Sequence, residues 1–210
     1  MRNFKRAVAI IGVSVAALVG PATAGAGTFS DSAASCDSHT MSQPFLRWLD
    51  PFRYVLAPKG SFEKGTSGWT LSGGAKVVSG NEPWYTSGPG TRSLYLPSGS
   101  SATTPPMCVK LLYPTIRYFA QNKGTILLSS LAVEVRFESP LTGKVVSAPI
   151  GVHTGGSRWH PSLPSIVLLN LLSPVLGKEG ELAIAFRFRP VGLGAKWQID
   201  DIYVDPFIQR

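Results

Sequence analysis

The sequence predicts an all-β protein, and three observations support this prediction. Gly and Pro are frequent, with 22 and 17 copies in 210 residues, and both residues favour short strands joined by tight turns. Several segments alternate apolar and polar residues with the period of a strand. No segment sustains the 3.6-residue period of an amphipathic helix. A chain of this length suits one globular domain.

The clearest predicted strand is Leu131–Glu138, in which every second residue from Leu131 to Phe137 is large and apolar. Leu182–Arg189 repeats this alternation, with Phe on one face and Arg on the other. Shorter candidates, separated by Gly, Pro, Asn or Ser, are Ala75–Val78, Ser93–Leu96, Thr115–Ala120, Lys144–Val146, Ser165–Leu169 and Trp197–Val204. Roughly eight to ten strands suit a jelly-roll β-sandwich of two antiparallel sheets. A short helix is the alternative for Leu168–Leu176.

The N-terminal residues 1–24 have the pattern of a secretory signal peptide. Three basic residues in the first six positions precede the uncharged stretch Ala7–Gly20, and Ala22–Ala24 has small residues at its first and last positions. The apolar stretch is shorter than the roughly 20 residues that span a bilayer. We expect cleavage after Ala24, with an uncleaved anchor as the alternative, and a secreted protein of the extracellular space or cell envelope without a later membrane span.

The formal net charge of +8 does not predict nucleic-acid binding. Cleavage after Ala24 would remove three of the 20 basic residues. The remaining Lys and Arg residues are scattered, and no aromatic motif of the RNA-recognition type accompanies them. A mild attraction to anionic cell-wall polymers and a merely solvated basic surface both remain open.

Residues 25–57 are predicted to lead into the domain that covers residues 58–210. Gly25–Ser42 is rich in small polar residues, whereas Pro44–Leu56 is apolar enough to pack on the domain. Cys36 and Cys108 are the two cysteines of the chain. In an exported protein they are expected to form one disulfide that ties this lead-in to the domain; in the chain-entropy model such a bond stabilises by about 4 kcal/mol.

The last predicted strand contains a conflict at Asp200 and Asp201. Trp197 and Ile199 share one parity, whereas Ile202 and Val204 share the other. In a regular strand Asp200 would therefore point into the core with Ile202, and an unpaired charge there is costly. Three solutions remain open at this point: a β-bulge, pairing with an Arg, or a calcium ion.

Three short motifs resemble galactose-binding-like jelly-roll domains, among them the family 4 and family 22 carbohydrate-binding modules of secreted bacterial proteins. Gly60–Gly65 followed by Gly68-Trp69 is similar to their opening strand and turn, Gly90–Leu96 to a strand after a loop near the ligand, and Trp197–Val204 to their last strand. The resemblance spans about Pro58–Pro206. It implies a structural calcium held by Glu63, Asp200 and the carbonyl group of Ser61.

Sugar binding by such modules uses exposed aromatic rings, because the apolar face of a pyranose stacks on them. Trp69, Trp159 and Trp197 are expected to belong to the scaffold. Trp84 and Tyr85 are the candidate ligand contacts, since they lie in Gly80–Gly90, a segment rich in Gly and Pro that is typical of a surface loop. Packing of these two rings on the edge of the sandwich is the alternative.

No catalytic motif supports an enzyme. The three His residues form no zinc-protease motif, and the sequence contains neither a G-x-S-x-G elbow nor a phosphate-binding Gly loop. We therefore expect a secreted, non-catalytic module that binds a carbohydrate or cell-envelope glycan. The alternatives are a structural or protein-interaction domain of the cell envelope and, third, a hydrolase with a pair of carboxylates.

Overall fold

The computed structural model describes residues 40–110, 114–139, 142–167 and 181–205. These ranges contain thirteen strands and one short 3-10 helix, Leu46–Trp48. The first strands are β1 Val55–Leu56, β2 Thr70–Ser72, β3 Lys76–Ser79, β4 Arg92–Leu96, β5 Ser101–Thr103, β6 Met107–Lys110 and β7 Thr115–Asn122. The remaining strands are β8 Ser129–Glu138, β9 Val145–His153, β10 His160–Pro161, β11 Ser165–Ile166, β12 Glu181–Gly192 and β13 Trp197–Asp205. Within these ranges no helix has the length and hydropathy needed to cross a membrane.

The strands form two antiparallel sheets that pack face to face. The first sheet has the order β10-β7-β13-β4-β3, with β1 paired to β13 and β11 to β7. The second sheet has the order β2-β5-β12-β8-β9, with β6 paired to β12. Apart from the consecutive pairs β3–β4 and β8–β9, neighbours in each sheet are distant in sequence, as in a jelly roll. The predicted all-β fold and the two-sheet sandwich are therefore confirmed.

The core between the sheets consists of the apolar faces that the alternation predicted. Leu131, Val133 and Val135 of β8 face Phe186 and Phe188 of the neighbouring β12 within one buried cluster. Burial of each such side chain stabilises the fold by about 1.5–3 kcal/mol. The second sheet therefore presents one apolar face to the first sheet and a polar face, which carries the Arg residues of β12, to its other side.

The conflict in the last strand is resolved by a β-bulge. The pairing of β13 with β7 shifts between Asp200 and Tyr203, and Asp201 has a positive φ of 47°. The extra residue places both Ile199 and Ile202 in the core. The expectation that holds for a regular strand, an Asp200 that points into the core, is thus wrong, because the bulge turns both carboxylates away from the core face. The carboxylates do not reach solvent, however: both are buried beneath a loop.

The segment before the sandwich packs on the outer face of the first sheet. Phe45 and Tyr54 are fully buried there against Phe119 and Tyr203. We call this group the outer aromatic cluster; Trp48, Leu56, Trp84 and Trp159 pack against it. Strand β1 adds to the sheet by pairing Val55 with Val204. Aromatic burial therefore gives the apolar half of the lead-in a fixed place on the domain.

Other predictions concern residues outside the described ranges. The signal peptide of residues 1–24, the first part of the lead-in, Cys36 and the whole of Leu168–Leu176 lie there. Cys108 is described and is buried on β6. The disulfide between Cys36 and Cys108 stays a prediction.

Candidate functional site

The Gly80–Gly90 loop is organised around the carboxylate of Glu82. This side chain is fully buried, and it accepts hydrogen bonds from the backbone N–H groups of Trp84 and Thr86, each at 2.5 Å. The loop contains no strand, so its backbone N–H groups need other acceptors. Glu82 supplies them from within the loop and thereby sets the direction in which Trp84 and Tyr85 leave the sandwich.

The two carboxylates of the β13 bulge hold this loop from below. Asp200 accepts a hydrogen bond from the backbone N–H of Glu82 at 3.1 Å. Asp201 accepts two hydrogen bonds from Ser87, from the backbone N–H at 2.8 Å and from the hydroxyl group at 2.6 Å. The bulge thus has a structural purpose, because it presents two acceptors to a loop that lies more than a hundred residues earlier in the chain.

Three carboxylates consequently share one buried region. Burial, the charge of Asp201 and the charge of Glu82 raise the pKa of Asp200 to about 9, against two backbone hydrogen bonds that lower it. Burial likewise raises the pKa of Asp201 to about 6, and Glu82 adds to the increase. Burial of an unneutralised carboxylate favours its protonated form.

Glu63 fastens the other end of the same loop. Its Oε1 atom accepts hydrogen bonds from the backbone N–H groups of Thr91 at 2.8 Å and Arg92 at 2.7 Å. A side chain at Gly90 would meet Glu63 Oε1 and Asn81 Oδ1, so any larger residue there would have to displace these two side chains. Glu63 and Asp200, the two predicted metal ligands, therefore bind opposite ends of one loop.

An open cavity of about 550 Å³ lies between this loop and the segment before β2. Its polar lining comes from Ser61, Glu63 and Ser87 and from the two lysines, Lys59 and Lys64. The complete lining is Leu56, Ala57, Pro58, Lys59, Ser61, Glu63, Lys64, Ser87 and Pro89. Volumes of about 300–1,000 Å³ are typical of small-molecule sites. The cavity can accept a ligand that has both hydroxyl groups and an apolar face.

The two predicted ligand contacts have different surroundings. The ring of Trp84 is half-buried and packs on Trp48 at 5.2 Å and on Phe119 at 5.3 Å between ring centroids. Tyr85 is 55% exposed and has a positive φ of 52°. A turn closed by the hydrogen bond from Gly88 N–H to the Tyr85 carbonyl group, at 2.9 Å, places this tyrosine next to the cavity-lining Ser87. Trp69 and Trp197 are buried in the core, as expected of scaffold residues.

The fit of a calcium ion depends on which oxygen atoms the site offers. Among the described residues, no group of three or more His, Cys, Asp or Glu side chains is arranged to hold a metal ion. An ion between Glu63 and Asp200 would therefore need backbone oxygen atoms, such as the carbonyl group of Ser61, to complete the six to eight ligands that calcium prefers. Asp200 suits such a site by its burial and its acidic neighbours, and Glu63 by its hydrogen bonds to the C-terminal end of the loop that Asp200 also binds.

Sequence reasoning missed Glu82, Lys59, Lys64 and Ser87. Glu82 looks like an ordinary polar loop residue, since nothing in the sequence around it shows that its carboxylate oxygen atoms face inward. Lys59 lines the cavity from a backbone position with a positive φ of 59°, and no sequence motif around this lysine predicts that conformation. The signal that was available was the conflict at Asp200 and Asp201, because two buried acceptors require donors from another part of the chain.

Comparison with known proteins supports the fold. No family model matches the chain, and no curated protein matches it. The CBM22-2 xylan-binding domain of Xyn10C from Paenibacillus barcinonensis is 13% identical, with a TM-score of 0.50 over 70% of this chain and 97% of that one. The CBM22-1 domain of the same protein is 15% identical, with a TM-score of 0.47 over 69% of this chain and 90% of that one.

A third similar structure is TmCBM61 in complex with β-1,4-galactotriose, at 19% identity and a TM-score of 0.41, over 72% of this chain and 97% of that one. At such identities a likeness shows the fold alone, and the superposition with the CBM22-2 domain carries this conclusion. The jelly-roll sandwich that the three sequence motifs implied is thereby confirmed.

Proposed function

We propose that the protein is a non-catalytic carbohydrate-binding module whose ligand, a polysaccharide or cell-envelope glycan, enters the cavity beside Tyr85. The observation that carries this proposal is an open cavity of about 550 Å³ together with an exposed tyrosine two residues before Ser87, which lines the cavity. The similar xylan-binding domain supports a saccharide as the class of ligand.

The chemistry of the lining suits a sugar. Leu56, Ala57 and Pro89 offer apolar surface, while Lys59 and Lys64 bring hydrogen-bond donors. A pyranose ring has one apolar face and a rim of hydroxyl groups, so it uses both kinds of surface. Tyr85 supplies a large exposed ring on a backbone that is held by the short turn that follows it, and a Tyr side chain has few rotatable bonds to immobilise on binding.

The buried state of the carboxylates supports a non-catalytic role. Asp200 and Asp201 are at most 1% exposed, and Glu82 is fully buried. A glycosidase needs two carboxyl groups that reach the scissile bond from either side. These three carboxylates instead accept hydrogen bonds from the backbone and hydroxyl group of one loop, and Asp200 also accepts one from the backbone N–H of Asp201.

The test is a binding panel with the full chain and soluble glycans, read by affinity electrophoresis and calorimetry. Tyr85→Ala should weaken binding about two- to tenfold, the effect of one aromatic stacking contact. Phe52→Ala is the matched control, because Phe52 is another exposed aromatic side chain and lies away from the cavity lining. Trp84→Ala is a poor probe, since its ring packs on Trp48 and the substitution would disturb the loop itself.

Each outcome separates the two function classes. Binding by the parent that Tyr85→Ala weakens and Phe52→Ala preserves supports the cavity as the glycan site. Equal binding by all three proteins moves the glycan site elsewhere. The absence of binding to every polysaccharide in the panel contradicts the proposal and favours the structural or protein-interaction domain of the cell envelope, a reading that the packing of Trp84 also favours.

We also propose the calcium ion that the family resemblance implies, as a structural ion held by Glu63, Asp200 and the Ser61 carbonyl group. Its support is the position of both carboxylates at the ends of the Gly80–Gly90 loop. The ion would neutralise buried negative charge and fasten the loop to β13. The melting temperature should rise in calcium relative to chelator, and Asp200→Asn should abolish the difference. An unchanged melting temperature of the parent would contradict this assignment.

A further inference from the structure

Two loops at one end of the sandwich expose four large aliphatic side chains. Leu127 is 93% exposed and Leu193 is 75% exposed, and Ile126 and Leu128 are each at least half exposed. Single exposed apolar residues are common on protein surfaces, but neighbouring ones mark interaction sites. These four residues, which we call the apolar tip, come from the β7–β8 and β12–β13 connections.

The two loops form one surface. Lys123 donates its backbone N–H to the carbonyl group of Lys196 at 2.8 Å. Gly192 pairs with Ser129 across the sheet, and a Cβ atom at Gly192 would collide with the carbonyl oxygen of Leu128. Gly124 is equally close to the backbone of the second loop. The apolar tip is therefore held by backbone contacts, and it does not depend on the packing of its own side chains.

This end of the sandwich is also uniformly basic. Lys76, Lys123, Arg158 and Lys196 are all exposed there. Backbone contacts group their loops: Asn122 N–H donates to the Gly156 carbonyl group at 3.0 Å, and Trp197 pairs with Leu96. The connections that meet here, residues 73–75, 97–100, 123–128, 154–159 and 193–196, contain three Lys or Arg residues and neither Asp nor Glu, and Lys76 at the start of β3 adds a fourth basic residue.

We propose that the apolar tip and its ring of basic residues bind the surface of an anionic lipid membrane. Aliphatic side chains on loop tips can enter the boundary between headgroups and acyl chains. Exposed lysines beside them then lie near anionic headgroups, and each lysine strengthens binding. The proposal goes beyond glycan binding, because it uses the end of the sandwich and none of the residues that line the cavity beside Tyr85.

Charge and chemistry favour a lipid surface over other occupants. A second copy of this chain docked tip to tip would bring two sets of four cations together, and like charges oppose that contact. The side chains of the apolar tip carry no hydrogen-bonding groups, so they cannot satisfy the hydroxyl groups of a glycan. An anionic membrane offers both the apolar layer and the negative charge.

The test is co-sedimentation of the full chain with vesicles of phosphatidylcholine alone and of phosphatidylcholine mixed with phosphatidylglycerol. Leu127→Ser with Leu193→Ser should lower the partition coefficient on anionic vesicles at least about tenfold, since the two aliphatic side chains that the membrane would bury are lost. Lys123→Gln with Lys196→Gln should lower it by about fivefold per lysine and should reduce its dependence on salt. Leu163→Ser is the matched control, because Leu163 is 82% exposed in another loop.

All variants share the same N-terminal residues, so differences between them report the loops alone. Circular dichroism and melting temperature check that each variant is folded. Loss of binding in both pairs together with full binding by Leu163→Ser supports the proposal. Equal partition of all proteins, or no binding by the parent, overturns it. A dimer in gel filtration that Leu127→Ser with Leu193→Ser dissociates would also overturn it and assign the apolar tip to self-association.

Discussion

Replacing Asp50 by Ala should weaken the attachment of the lead-in to the sandwich. Asp50 Oδ2 accepts hydrogen bonds from Arg117 Nη1 at 2.5 Å and from the Tyr54 hydroxyl group at 2.8 Å. Arg117 also donates to the carbonyl group of Ser162 and lies over the ring of Phe45, 4.1 Å from its centroid. The substitution would leave a guanidinium group buried without its carboxylate.

The size of the effect follows from this burial. The side chains of Arg117 and Asp50 are only 5% and 8% exposed. Removing one partner of a buried ion pair destabilises a protein by about 3–5 kcal/mol, because the other charge is left uncompensated. For a chain of this size that difference lowers the melting temperature by roughly 6–20 °C. Asp50→Ala with Arg117→Met should be less destabilised than the sum of the two single variants, since the double variant leaves no buried charge.

Urea denaturation followed by tryptophan fluorescence measures this free energy, and Trp48 in the lead-in is one of the five tryptophans that contribute to the signal. Glu138→Gln provides a control carboxylate at the end of β8 and should change the free energy of unfolding by less than about 0.5 kcal/mol. A loss of under about 1 kcal/mol for Asp50→Ala would refute the reasoning, because it would mean that the ion pair is open to solvent.

Two further predictions concern the sandwich itself. Burial, followed by the charge of His160, lowers the pKa of His153 to about 4 from 6.5; the unfolded chain therefore takes up the proton first, and stability should fall by up to about 3 kcal/mol between pH 6.5 and 4. The free energy of unfolding of His153→Gln should fall less between pH 6.5 and 4 than that of the parent. Parallel curves of this free energy against pH for the two proteins would disprove the assignment. Gly192→Ala should be more destabilising in thermal melts than Gly99→Ala, because both glycines have positive φ but only at Gly192 does a Cβ atom meet the backbone of Leu128; equal effects would show that the loop gives way.

The class of fold could be predicted from local patterns. Alternation over Leu131–Glu138 and Leu182–Arg189 places apolar side chains on one face of each strand, and that face has to be buried. The observed strands β8 and β12 contain these segments and pair with each other. The short motifs around Phe62 and Trp197 were enough to indicate the type of sandwich, because both residues lie in its core.

The candidate site depended on contacts that no local pattern contains. The parity change around Asp200 and Asp201 showed that the last strand is irregular, yet only the fold shows that Glu82 and Ser87 supply the donors. Trp84 and Tyr85 are neighbours in one loop, but Trp48 covers the first and leaves the second exposed. Which ring is free is decided by a residue from another segment.

The sequence by itself determined what each segment must bury: the alternating strands, the apolar half of the lead-in and the paired carboxylates of the last strand all carry that requirement in their residue types. The tertiary structure decided which segments meet that requirement for one another. Ile126–Leu128 and Leu193 are separate apolar positions in the chain, and only the β7–β8 and β12–β13 connections bring them to one basic end of the sandwich. The physical reason is that burial and charge are local properties of residues, whereas partners and exposed surfaces arise when distant strands pair.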